Sequence, residues 1–306
     1  MSVQTFQLLI LGSSAATPTS ERNPSAQLLN IAERYFLIDC GESTQIQLRK
    51  YKVRMQSIHH IFISHLHGDH FFGLPGFLAS LHLLGRTKEL TIFAPAQLKK
   101  IIQLIHKSSE THLSFPIKFI DTQHQTKELI FEDDKLEVYS LPLEHRISTS
   151  GFLFKEKPLP RRINKFKIEK LKVSLSEMNN LKLGFDVYST DGELIKNKDL
   201  TFDPPSPRSY AYCSDTRFFE SFSENIKDVD LLYHESTFLE EHAERASQTF
   251  HSTAKQAAKM AVLSNSKKLI LGHFSARYSD LSDFLAESKT IFENVELAIE
   301  GKFFDI

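Results

Sequence analysis

The chain has 306 residues, 41% hydrophobic and 25% charged, which is enough to build a sizeable core and argues against wholesale disorder. A net charge of -1 excludes a protein that coats nucleic acid over its whole surface, while leaving room for a local basic patch. No run reaches membrane-spanning length and Met1 to Leu11 carries no leader pattern, so a soluble, cytoplasmic protein with no membrane role is expected.

Along the chain, Phe6 to Leu11 is a continuous apolar strand that empties into a turn-rich loop from Gly12 to Pro24. Strands are predicted over Ser25 to Ile31 and Arg34 to Asp39, a helix over Ser43 to Tyr51, and a strand over Ile58 to Ile63. Phe71 to Leu84 reads as one buried helix, Leu90 to Phe93 as a strand, Ala96 to His106 as a helix, and Lys135 to Leu141 and Ser150 to Phe154 as strands. From about Lys155 to Pro207 the periodicity dissolves into basic and Pro-containing sequence, which marks an insertion. Its first part, Lys155 to Lys172, holds eight basic residues, Arg161, Arg162, Lys165 and Lys167 among them, against two acidic ones. By itself such a run is an ordinary solvated surface.

Strand character resumes at Tyr210 to Cys213 and Val229 to Tyr233. A helix follows with Ser252 or Thr253 as its N-cap and Ala257, Ala258 and Ala261 on one side, then a strand at Lys268 to Leu271. A helix from Ser282 and short strands at Val295 to Ile299 and Lys302 to Phe304 close the chain. Two sheet-and-helix halves around an insertion suit a layered α/β/β/α sandwich. Cys40 and Cys213 form no spacing motif and read as small buried hydrophobes in a reducing compartment.

The strongest chemical signal is Ser64-His65-Leu66-His67-Gly68-Asp69-His70, immediately after a predicted strand. Imidazole and carboxylate suit zinc, and a loop with Gly68 inside it can turn His65 and His67 toward one ion and Asp69 and His70 toward another. Two ions need further ligands. His145, Asp215 and His273 each follow an apolar strand, and Asp215 could bridge the pair. Taken singly, each of the three is an ordinary surface or core residue.

The chain resembles the ribonuclease Z family of the metallo-β-lactamase superfamily at Ile38-Asp39-Cys40-Gly41-Glu42, at Ser64 to His70, at His145, at Ala211 to Thr216 and at Gly272 to Tyr278. Two further stretches are similar to motifs particular to that family, Tyr233-His234-Glu235-Ser236-Thr237 and Phe250-His251-Ser252-Thr253-Ala254. The resemblance implies an α/β fold, a four-layer αββα metallo-β-lactamase sandwich forming one domain over 1–306 with an inserted basic arm at 155–207. It implies two zinc ions per chain, one held by His65, His67 and His145, the other by Asp69, His70 and His273, with Asp215 between them and Asp39 orienting the ligand loop. The implied activity is endonucleolytic removal of the 3′ trailer from precursor tRNA, by a homodimer, leaving a 3′-hydroxyl on the tRNA and a 5′-phosphate on the trailer.

In that chemistry Asp69 accepts or holds the proton of the attacking water, and His251, oriented by Glu235, is the candidate general acid. Candidate substrate contacts are Arg22 and Asn23 in the early loop, Ser275 and Arg277 beside His273, and Arg161, Arg162, Lys165 and Lys167 in the arm. The arm departs from the family pattern, since Gly151 to Pro207 contains no Gly-Pro pair and instead returns through Asp203-Pro204-Pro205-Ser206-Pro207. Two rivals remain open on the residues alone: an enzyme of the same superfamily acting on small phosphodiesters, and a non-catalytic RNA-binding scaffold. The first needs neither a basic arm nor the Glu235 and His251 pair, and the second does not need a full ligand set.

Overall fold

Two seven-stranded sheets organise the protein in a computed structural model that describes residues 4–123, 125–171 and 173–306. Met1 to Val3, and Lys172 of the basic run, lie outside the described residues. In the first sheet the strands Phe303–Asp305, Phe6–Gly12, Ala26–Ile31 and Arg34–Ile38 pair antiparallel in that order. Ile58–Phe62, Leu90–Ala94 and Ile117–Asp121 then continue it in parallel. The second sheet repeats this division. Val295–Leu297, Leu269–Gly272, Leu231–Glu235 and Ser209–Cys213 run parallel, and Thr149–Glu156, Leu136–Leu143 and Glu128–Glu132 complete it antiparallel.

The sheets face each other across an aromatic core. Phe62 of the first sheet meets Phe154 and Phe152 of the second with ring centroids 5.2 and 5.3 Å apart, at the edge-to-face geometry aromatic pairs favour. The outer face of the first sheet is covered by helices Thr44–Lys50, Leu74–Leu83 and Gln97–Ser108, which bury Leu48, Phe77, Leu81, Leu98 and Ile102. On the second sheet lies the helix Ala254–Leu263, whose Ala257, Ala258 and Ala261 are buried as the sequence predicts. Thr253 caps it through a reciprocal pair of hydrogen bonds with Gln256. The four-layer αββα sandwich of the metallo-β-lactamase fold follows.

Several elements differ from the sequence expectation. The predicted helix over Phe71 to Leu84 is two helices, Gly68–Phe71 and Leu74–Leu83, broken at Gly73. A Cβ at Gly73 would sit 2.0 Å from the carbonyl oxygen of Gly41, so the ligand loop and the loop at Gly41 approach as closely as backbone allows. Leu83 is 83% exposed, so the far end of the second helix is not core. The strands Ile117–Asp121 and Glu128–Glu132 and the helix Ala243–Thr249 carry no strong periodic signal; both strands are half-exposed sheet edges. Nor is the insertion structureless. It contains the paired strands Arg162–Ile163 with Thr201–Phe202 and Val187–Tyr188 with Leu194–Ile195, three short helices, and a small core of Ile168, Val173, Leu181, Val187 and Leu200. Among the described residues no helix is long and apolar enough to cross a membrane.

Candidate metal centre

The parallel strands of both sheets end on one rim, where their carboxyl ends release polar loops. Asp39 follows Arg34–Ile38, Ser64 to His70 follow Ile58–Phe62, Asp215 follows Ser209–Cys213, Glu235 ends its own strand, and His273 follows Leu269–Gly272. His145 joins them from the end of Leu136–Leu143. The backbone at Asp39 and His273 is in the left-handed region, φ 55° and 58°, which re-aims each side chain sharply out of its strand and is tolerated only where the surroundings hold it.

All seven sequence-predicted metal ligands converge there. His65, His67, His145 and Asp215 each present an atom to a common point, as do Asp69, His70 and His273. In the first group His65 Nε2 and His67 Nδ1 are 3.0 Å apart, His145 Nε2 and His67 Nδ1 3.3 Å, and His65 Nε2 and Asp215 Oδ2 3.5 Å. In the second, Asp69 Oδ2 lies 3.4 Å from His70 Nε2 and 3.5 Å from His273 Nε2. Asp215 turns Oδ2 to the first group and Oδ1 to the second, 3.3 Å from His70 Nε2 and 3.1 Å from His273 Nε2.

These groups fit metal ions. Donor atoms about 2.0–2.1 Å from one tetrahedral zinc stand roughly 3.3 Å from each other, which is the spacing found. The ring nitrogens His70 Nε2 and His273 Nε2 are buried and have no hydrogen-bond partner, a costly state that a cation relieves. Each opposite nitrogen is held. The Nδ1–H of His145 donates to the Phe250 carbonyl at 3.0 Å, that of His65 to Ser64 Oγ at 3.0 Å, that of His70 to Asp39 Oδ2 at 2.7 Å, and that of His273 to Thr237 Oγ1 at 2.9 Å. Fixing Nδ1 as the donor leaves Nε2 as a lone pair, the form a metal binds.

Electrostatics agree. Burial pushes the imidazoles of His67 and His145 down to about 4, with their histidine neighbours adding to the effect, so both are neutral. Burial opposes ionisation of Asp69 and Asp215, but positive charge on His70 and its neighbouring imidazoles outweighs it and holds both carboxyls well below the ordinary range. Burial likewise opposes charge on His70, yet Asp69, Asp215 and Asp39 prevail and raise it well above its ordinary value, so this half of the cluster attracts a positive charge, whether a proton or a metal ion. Asp39 is saturated, accepting from the Ser64 backbone at 2.7 Å, Ser64 Oγ at 2.9 Å, His70 at 2.7 Å and the Tyr212 hydroxyl at 2.7 Å. Tyr212 is a member of this network that no spacing in the sequence reveals.

Beside the cluster stands the Glu235 and His251 pair. Glu235 is fully buried, and its Oε1 accepts from His251 Nδ1 at 2.8 Å and from the Thr216 backbone at 3.0 Å. Burial pulls the imidazole of His251 down, but the charge and hydrogen bond of Glu235 prevail and raise it to about 9. A ring nitrogen of His251 comes within 4.8 Å of ligand atoms of Asp215 and His273. With Nδ1 turned to Glu235, Nε2 is left to serve the cleft.

That cleft, about 610 Å³, is lined by His67, Asp69, Asp215, His251 and His273 together with Ser275 and Arg277. Arg277 also stacks over the Phe238 ring at 5.1 Å. Arg146 and Arg245 line it as well. The sequence reading passes over both; the signal available was the place of Arg146 directly after His145. Arg22 and Asn23 do not line the cleft. Arg22 donates to the carbonyls of Tyr278 at 2.7 Å and Ser275 at 3.4 Å, and Asn23 is tied to Glu300 at 2.5 and 2.8 Å, so both brace the loops that form its wall. The arm residues are elsewhere too: Arg161 bonds Thr201 at 2.8 Å and pairs with Asp203, Arg162 stacks over Phe202 at 6.0 Å, and Lys165 and Lys167 are exposed on a short helix.

Residues 6–159 match the family model described as Anti-Pycsar protein Apyc1. That stretch includes the ligand loop and His145 but stops before Asp215, Glu235, His251 and His273. Over nearly its whole length the chain is similar to a Ribonuclease Z of Cytophaga hutchinsonii, 50% identical over 300 residues that cover 98% of this chain and 96% of that protein. It is 42% identical to a Ribonuclease Z of Bacteroides fragilis, with 98% of each covered. Among solved structures, human tRNase Z, short form, aligns with a TM-score of 0.70 at 26% identity, covering 97% of this chain and 98% of that one. The metallo-beta-lactamase fold protein YhfI from Bacillus subtilis aligns at 0.71 and 18% identity, covering 99% and 100%, a likeness of fold alone.

Proposed function

The chain belongs to the ribonuclease Z family, and from that premise we propose that it removes the 3′ trailer from precursor tRNA with two zinc ions per chain. The observation that carries this reading is the position of His251, held by buried Glu235 and facing the cleft that His67, Asp69, Asp215 and His273 of the seven-residue His and Asp cluster also line. His65, His67 and His145 would hold one ion and Asp69, His70 and His273 the other, with Asp215 between them. Bound there, the ions supply Lewis acidity toward phosphate oxygens and toward water.

The chain's own groups do the rest. Asp69, whose Oδ2 also accepts from the Ala16 backbone at 2.8 Å, holds the proton of the attacking water. His251 gives a proton to the departing ribose 3′-oxygen, and Glu235 keeps its ring aimed and stabilises its charged form. Cleavage so arranged leaves a 3′-hydroxyl on the tRNA and a 5′-phosphate on the trailer. Arg277 and Ser275 position backbone phosphates at the cleft, and the basic arm engages the tRNA body away from it. A cytoplasmic homodimer completes the proposal on family grounds, and light scattering tests the assembly.

Incubating the purified protein with a 3′-extended precursor and mapping both product ends tests the function. A single cut with those two ends is the expected outcome. Failure to cut, combined with brisk hydrolysis of small phosphodiesters, would replace it with the rival reading.

A further inference from the structure

Thr237 sits where the two halves of the site meet, and its side-chain oxygen has three polar neighbours: Glu235 Oε2 at 2.7 Å, His273 Nδ1 at 2.9 Å and His251 Nδ1 at 3.2 Å. A hydroxyl has one proton to donate and two lone pairs to accept with. Glu235 Oε2 is both the nearest neighbour and the charged acceptor, so the proton goes there. His251 directs its own Nδ1–H to Glu235 Oε1 at the shorter distance of 2.8 Å. The lone pairs of Thr237 are therefore left for the Nδ1–H of His273.

This fixes the ring of His273. With Nδ1 protonated and held, Nε2 is unprotonated, and it is this buried, unpartnered atom that faces Asp215 Oδ1 at 3.1 Å and Asp69 Oδ2 at 3.5 Å. The threonine cannot swing away, because it is 4% exposed, its backbone N–H also donates to Glu235 Oε2 at 3.0 Å, and a β-branched side chain is stiff at χ1. We propose that Thr237 is a positioning residue whose hydroxyl relays Glu235 to His273, so that one buried carboxylate sets both the proposed acid and the ring of a metal ligand. The proposal rests on the reading that the His and Asp cluster holds metal. One consequence is that Glu235 is not a servant of His251 alone: Glu235→Gln disturbs the partner of Thr237 and so the metal centre as well.

Zinc titrated into the metal-stripped protein against a competing chelating dye tests the relay without any RNA. Thr237→Val keeps the shape and loses the hydroxyl, and should weaken one of the two binding events by about 10- to 100-fold, the usual worth of a group that orients a ligand. Thr237→Ser keeps the hydroxyl and should stay near the parent chain. If melting of the metal-free protein shows that the valine is not accommodated, Thr237→Ala is expected to give the same weakening. Parent-like zinc binding in the folded Val or Ala variant overturns the proposal, and so does a Ser variant that loses zinc as they do, since packing would then be the cause. A parent chain that binds two zinc ions and still leaves precursor tRNA uncut overturns the proposed function and not the relay.

Discussion

A ribose 3′-oxygen leaves as a strongly basic anion, whereas nitrophenolate delocalises its charge and departs without a proton. His251→Ala should therefore slow precursor cleavage by roughly 100- to 10,000-fold, the range for positioned proton transfer, and barely change hydrolysis of bis(nitrophenyl) phosphate. Comparable losses on both substrates would mean that His251 steadies a phosphate oxygen and is not the acid. Asp69→Ala removes a proposed metal ligand and the acceptor of the Ala16 N–H but no group that contacts remote phosphates. It should abolish turnover while tRNA binding, measured by filter retention, stays close to the parent value. Parallel loss of binding would show that the loop at Ala16 is itself part of the RNA contact. Both predictions concern side chains that the sequence makes visible by type and motif. Tyr212 and Thr237 are equally embedded in the site, yet a hydroxyl gives no sign in sequence of the carboxylate or ring it will meet.

At the level of elements, the arm is the part most separable from the catalytic rim. It leaves the second sheet after Glu156 and returns at Arg208, where the backbone N–H of Glu156 donates to the Arg208 carbonyl at 2.9 Å and the guanidinium holds the Glu156 carboxylate. Its own small core does not include any residue of the main one. Replacing 158–206 by a short Gly-Ser linker should leave zinc content and small-phosphodiester hydrolysis near parent levels, because the ends already lie side by side and no metal ligand is removed. Cleavage of precursor tRNA should fall far more. The salt dependence of tRNA binding should also become shallower, since fewer counterions are released per complex. An unchanged slope would place the RNA contacts on the main domain. The same element marks a limit of pattern reading: strands two residues long and helices of four to six have no room for a period to register.

For the molecule as a whole, the candidate metal centre spans two sheets that meet mainly through apolar packing, with the buried hydroxyls of Tyr212 and Tyr210 reaching across to Asp39 and Gln27. His65, His67, Asp69 and His70 hang from the first sheet, while His145, Asp215 and His273 hang from the second. Elemental analysis of the active protein should give about two zinc ions per chain, because seven ligands with one shared carboxylate exceed what one tetrahedral ion uses. A single ion at full activity would refute this. Metal bound at 100 times its dissociation constant stabilises the folded state by about 2.7 kcal/mol, so chelation should lower the melting midpoint by several degrees and added zinc should restore it. An unchanged midpoint would mean that the ions do not link the halves. The sequence by itself determined most of the strands and helices in their order and the candidate ligand loop Ser64 to His70, because strand periodicity is local and imidazole and carboxylate in one short loop are chemically distinctive, while His145, Asp215, His273, Glu235 and His251 stood out only through their resemblance to family motifs. Only the tertiary structure decided that Asp215 faces both ligand groups, that Thr237 joins Glu235 to His273, that Arg146 and Arg245 line the cleft, and that Arg22 and Asn23 turn inward. These depend on which strand ends share a rim and on the direction a side chain leaves the backbone, and contacts between residues far apart in the chain are set by packing of the whole sandwich.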